Sequence, residues 1–223
     1  MRIRFDEQLE ELNKEMINMG TMIEKSIGNA VKALMKQDVE MAKQVMAGDE
    51  EIDRAERKIE ASCLRLLLQQ QPVARDLRTI SAALKMVTDM ERIGDHATDI
   101  SELAIMLLEA SSDLPGETFY INALEKDIED MAKETMVMLI QSLEAYVEKD
   151  LEKAQKVIDH DDVVDDLFEK VKKELIEMIR TRSTEGEPAL DVLLVAKYFE
   201  RIGDHATNIA EWVIFSITGE LAD

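Results

Sequence analysis

The sequence predicts an all-α protein, a tandem repeat of two three-helix bundles with six long antiparallel helices. Three observations carry this. Only three prolines and eight glycines interrupt the 223 residues, and the remainder is rich in Ala, Leu, Glu, Lys and Met, the strong helix formers. Apolar residues recur at three-and-four spacing over stretches of about 30 residues. The chain also repeats itself, and one block of eight residues returns unchanged.

The elements follow in order. Leu9, Leu12, Met16, Met19, Ile23, Ile27, Ala30 and Leu34 fall on one stripe and predict a first helix over 5–36. Asp38 is placed as the N-cap of a second helix running to Gln70. A turn near Gln71 follows, and Pro72 opens a third helix whose apolar face is Ile80, Ala83, Leu84, Val87, Met90 and Ile93. The segment Glu109-Ala110-Ser111-Ser112-Asp113-Leu114-Pro115-Gly116 reads as a linker. Helices over 118–148, 150–182 and 188–218 then repeat the plan, so the two copies are expected at 1–112 and 113–223. Helices of this length measure about 45 Å, and short connections make neighbours antiparallel. Packing of the bundles end to end or side by side is left open.

Composition excludes several function classes. Acids outnumber bases 48 to 27, a net charge of −21, whereas nucleic acid requires Lys and Arg to displace its counterions. The same charge repels an anionic membrane surface unless a local basic patch escapes it, and it favours cations or a positively charged protein face. The single cysteine, Cys63, stands among leucines and reads as a buried thiol. Met1-Arg2-Ile3-Arg4-Phe5-Asp6 carries no apolar signal core, and no run approaches the ~18 apolar residues of a membrane span. A cytoplasmic location is expected. The fourteen methionines read mainly as core filler, and Trp212 and Phe215 as core of the last helix.

The repeat carries a constellation of acids. Glu91-Arg92-Ile93-Gly94-Asp95-His96-Ala97-Thr98 recurs as Glu200-Arg201-Ile202-Gly203-Asp204-His205-Ala206-Thr207. The helix starts at Asp38 and Asp150 match, as do the pairs Asp49/Asp53 and Asp161/Asp165. Glu91, Asp95 and Asp99 sit four residues apart, on one slowly drifting helix stripe. Like charges at that spacing cost a helix roughly 0.2–0.5 kcal/mol per pair, a repulsion that a bound cation would relieve. Counted outward from the turn, Asp53 matches Glu91 in height and Asp49 matches Asp95. Two helices could thus present their carboxylates to a hard cation such as iron(III), manganese, magnesium or calcium. The second copy is less regular: its turn is longer, Asp165 and Glu200 differ in height by ~7–8 Å, and Asn208 replaces the acid at Asp99. Against this stands the reading that the acids merely solvate their helices.

Gly94 and Gly203 cost each helix ~1 kcal/mol against alanine and point to close approach of a neighbouring backbone or a ligand. His96 and His205 read either as ligands or as packed imidazoles bonded to carboxylates. His96 stands five residues after Glu91, so the Glu-x-x-His spacing of ferritin-like helices is missing. No phosphate-cradling glycine loop, Cys-x-x-Cys pair or activated nucleophile is found.

On the two Glu-Arg-Ile-Gly-Asp-His-Ala-Thr blocks and the partner acids Asp49/Asp53 and Asp161/Asp165, the chain resembles the PhoU family across nearly its whole length. The resemblance implies a cytoplasmic, non-enzymatic negative regulator of phosphate uptake and the phosphate-starvation response. It implies an adaptor between the phosphate transporter's ATPase subunit and a sensor histidine kinase, peripheral to membrane complexes and commonly a homodimer. It also implies metal clusters, iron foremost, with zinc, manganese, magnesium or calcium as alternatives. The first would use Asp49, Asp53, Glu91, Asp95 and Asp99, the second Asp161, Asp165, Glu200 and Asp204. A carboxylate-bridged metalloenzyme and a metal-binding helical protein outside phosphate control are the competing readings.

Overall fold

In the computed structural model, residues 2–70, 72–111, 117–181 and 186–220 are described. They form six helices and no strand: α1 (Arg2–Lys36), α2 (Val39–Gln70), α3 (Ala74–Ser111), α4 (Glu117–Glu148), α5 (Leu151–Thr181) and α6 (Gly186–Thr218). The expected apolar stripes face inward. Leu12, Met16, Met19, Ile23, Ile27 and Ala30 of α1 are fully buried, as are Ile80, Ala83, Val87, Met90 and Ile93 of α3.

Two tight turns are built alike. Gln37 and Lys149 take left-handed backbone conformations, φ 55° and 57°, and close α1 and α4. The amide of Asp38 bonds the carbonyl of Ala33 at 2.9 Å, and that of Asp150 bonds Ala145 at 3.0 Å, the six-to-one bond of a Schellman ending. Each aspartate then caps the next helix, its Oδ1 accepting from the amide of Met41 or Lys153 at 3.0 Å. Pro72, by contrast, does not open α3. Pro72 and Val73 stand outside the helix, which begins at Ala74. Gln71 and residues 112–116 of the expected linker lie outside the described residues, while α3 runs through 109–111.

The bundles lie side by side. α1, α2 and α3 pack on one another, as do α4, α5 and α6, while α3 against α6 and α1 against α4 join the halves. α2 and α5 touch only their own bundle. One continuous hydrophobic core runs through both halves. Cys63 is fully buried in it, and burial pushes its thiol up to about 12. Met16, Met19, Met86, Met90, Met131 and Met138 are core. Trp212 and Phe215 are only half-buried, edge to face at 5.7 Å between ring centres.

Candidate functional site

The acids gather along two grooves, one between α2 and α3 and one between α5 and α6. In the first, burial and mutual repulsion raise the Glu91 carboxyl to about 7, with Asp95, Glu56 and Asp53 as the neighbouring charges. Asp95 is raised by burial and then by Asp49, Asp99 and Asp53, and Asp49 by burial, Asp53 and Asp99. The pairing by height expected from the sequence therefore holds.

The second groove is as well assembled as the first, which corrects the mismatch expected there. Burial, Asp204, Asp165 and Glu200 push Asp161 up to about 6. Asp165 is raised by burial and Glu200, and Asp204 likewise. The physical reason is helix length. α5 ends at Thr181 and α6 already begins at Gly186, so the ladder from the turn to Glu200 is longer than a start at 188 allowed.

The glycines explain how the helices approach so closely. A Cβ on Gly94 would lie 3.1 Å from Cγ2 of Ile52, and one on Gly203 would lie 3.0 Å from Oδ1 of Asp161. Gly94 admits an isoleucine. Gly203 admits a carboxylate of the site itself.

Several contributors escaped the sequence reading. Thr98 faces Asp49 and Thr207 faces Asp161, each easing the carboxylate's charge. Their buried hydroxyls close no ordinary hydrogen bond. Their identical place in the repeated block was the available signal. Glu56 joins the first cluster, whereas Phe168 holds the matching place in α5. Lys197 pairs with Glu200 and stands 5.3 Å from the Phe168 ring centre. The second groove thus carries an internal cation. In the first, Arg57 donates to Asp53 at 2.7 Å from the exposed side.

The histidines meet between the halves, where His205 reaches across to α3 while His96 keeps Asp99 of its own groove as its partner. His205 Nδ1 lies 2.9 Å from Asp89 of α3, and Asn208 donates to the same carboxylate at 3.2 Å. His96 Nδ1 lies 3.2 Å from Asp99, and its ring is 5.6 Å from His205 and 5.4 Å from Tyr198. Burial pushes the His96 imidazole below 6.5, and its Nε2 is buried without a partner.

As the side chains stand, no three His, Cys, Asp or Glu groups among the described residues converge closely enough to hold a metal ion. The donor chemistry nevertheless fits a hard cation, since oxygen ligands predominate and raise one another's pKa. Side-chain rotation within each groove would be needed to close a coordination shell. Among the described residues no helix is long and apolar enough to cross a membrane.

The PhoU domain family matches residues 16–104 and 128–213. The chain is 40% identical over 220 residues to the phosphate-specific transport system accessory protein PhoU homolog of Clostridium acetobutylicum, covering 98% of this chain and 96% of that one. It is 37% identical to the PhoU homolog of Aquifex aeolicus, covering 96% and 93%. The crystal structure of PhoU from Pseudomonas aeruginosa superposes with a TM-score of 0.85 at 33% identity, over 97% of this chain and 100% of that one. That of the phosphate transport system regulatory protein PhoU from Streptococcus pneumoniae gives 0.86 at 28%, over 98% and 99%. With its domain matched twice and relatives matched end to end, the chain belongs to the PhoU family.

Proposed function

We propose that the protein is a cytoplasmic negative regulator of phosphate uptake and of the phosphate-starvation response. It acts by binding rather than turnover, as an adaptor between the phosphate transporter's ATPase subunit and a sensor kinase. The observation that carries this is the end-to-end match to phosphate-specific transport accessory proteins. The homodimer expected from the resemblance is part of the same proposal. Deleting the gene is expected to release phosphate-starvation genes under plentiful phosphate. A deletion strain, lacking any second copy, that still represses them would refute the assignment.

Metal binding is the second part of the proposal. Asp49, Asp53, Glu91, Asp95 and Asp99 would hold cations in the first groove, with Glu56 nearby. Asp161, Asp165, Glu200 and Asp204 would do so in the second. A bound cation would supply charge neutralisation between two helices, and iron is the first candidate. The mutual elevation of these carboxyls supports the reading. The chain's own residues do the remainder: Thr98 and Thr207 face the α2 and α5 acids, and Gly203 lets Asp161 approach α6.

A further inference from the structure

The two histidines of the repeated block hold equivalent positions and take different partners. His205 Nδ1 lies 2.9 Å from Asp89 in the opposite half, while His96 Nδ1 lies 3.2 Å from Asp99 on its own helix. Two exchanges between the copies produce this. Each histidine meets the same position of the other half, which is Asp89 for His205 and Tyr198 for His96. Tyr198 offers no carboxylate, so His96 turns to the residue three places on. There the first copy has Asp99 and the second Asn208, whose amide donates to Asp89 at 3.2 Å instead.

Asp99 consequently stands between the first groove and the seam. It follows Asp95 by one turn on the same face of α3. Burial raises the carboxyls of Asp49 and Asp95 and the phenol of Tyr198, and the charge of Asp99 adds to each. A carboxylate only accepts, so His96 Nδ1 carries the imidazole proton. The ring is 8% exposed and packs on Tyr198 and His205, 5.4 and 5.6 Å between ring centres. A donor fixed in this way engages Oδ2 of Asp99 and leaves Oδ1 to the groove.

We infer that His96 is a positioning residue for cation binding in the first groove: it holds Asp99 by one oxygen and presents the other to the cation. The second groove has no such device, because His205 and Asn208 both bond Asp89. The inference rests on the proposed cation site of the first groove. A partner that orients a ligating carboxylate contributes roughly 10–100-fold in affinity, and a single bond to a half-exposed carboxylate stands at the lower end, about tenfold.

The test is manganese titration calorimetry on the full chain, with the first groove read in an Asp204→Ala background and the second in an Asp95→Ala background. His96→Leu keeps bulk and removes both ring nitrogens, and should weaken manganese binding in the first groove about tenfold. His96→Asn keeps a donor near the Nδ1 position and should recover most of that loss. With Asp99→Ala already present, His96→Leu should weaken binding no further, because the two residues act as one unit. His205→Leu also removes a seam bond, yet should leave the affinity of the second groove unchanged. Should His96→Leu fail to fold, His96→Gln, whose amide reaches past the Nδ1 position, takes its place with the same expected loss. Undiminished binding without the His96 donor would overturn the inference alone. So would a loss that Asn does not rescue and that persists without Asp99, or an equal loss from His205→Leu in its own groove. An unaltered chain that binds no manganese would overturn the cation reading and this inference together.

Discussion

At the scale of the residue, the acids in the grooves behave as neighbours and not as isolated solvating charges. Glu91 is raised from 4.5 to about 7 and Asp161 from 3.8 to about 6, so ionisation works against the fold. At low pH these groups are protonated in the folded and unfolded states alike, and no penalty arises. As pH rises past their ordinary values the unfolded chain loses protons first, and the penalty is complete above about pH 7. Both groups are only half-buried, so solvent screening discounts the combined effect to about 1–2 kcal/mol, or a fall of roughly 3–6 °C in melting temperature. Melting curves from pH 4 to pH 8, without divalent cations, should show that fall, and manganese should reverse it. Asp95→Ala is expected to raise the cation-free melting temperature, since it removes a repelled charge, and to abolish part of the manganese effect. A melting temperature indifferent to pH and to Asp95 would mean that the acids do not interact.

At the scale of the element, the two grooves share a plan but not a charge. Glu56 adds a carboxylate to the first, while Phe168 and Lys197 occupy the second. The first groove is therefore expected to bind divalent cations more tightly. Lys197→Gln should strengthen the second site severalfold and Glu56→Gln should weaken the first, by titration calorimetry with the opposite groove disabled through Asp95→Ala or Asp204→Ala. The helices were legible in the sequence because stripe, cap and break signals agreed: Asp38 and Asp150 cap as their positions require. The acid pairing in the first groove was legible because the turn at Gln71 gave both helices one origin. In the second groove that origin was misplaced by two residues at the start of α6, enough to conceal that Asp165 and Glu200 stand close enough to repel each other. Lys197 was illegible because its partner Glu200 is on its own helix and its platform, Phe168, is on another.

At the scale of the whole molecule, α3 and α6 carry the acids on their outer faces and join the halves on their inner ones. The histidines of the repeated block serve the second task. Their sequence position beside Asp95 and Asp204 suited a ligand role, but helix rotation turns each toward the other half, where Asp89 receives both His205 and Asn208. Asp89 itself lay outside the repeat pattern, because Tyr198 holds its place in the second copy, so self-comparison could not single it out. Asp89→Ala would leave two half-buried donors unpartnered and should cost about 1–3 kcal/mol, read as a lower denaturation midpoint. Asn208→Ala alone should cost less, since His205 keeps its bond. If duplication has made two cation sites flanking this seam, elemental analysis of protein purified without added metal should find metal in the unaltered chain. Asp95→Ala and Asp204→Ala should each lose part of it and the double variant nearly all. A metal-free protein, or variants that keep the full complement, would contradict the account.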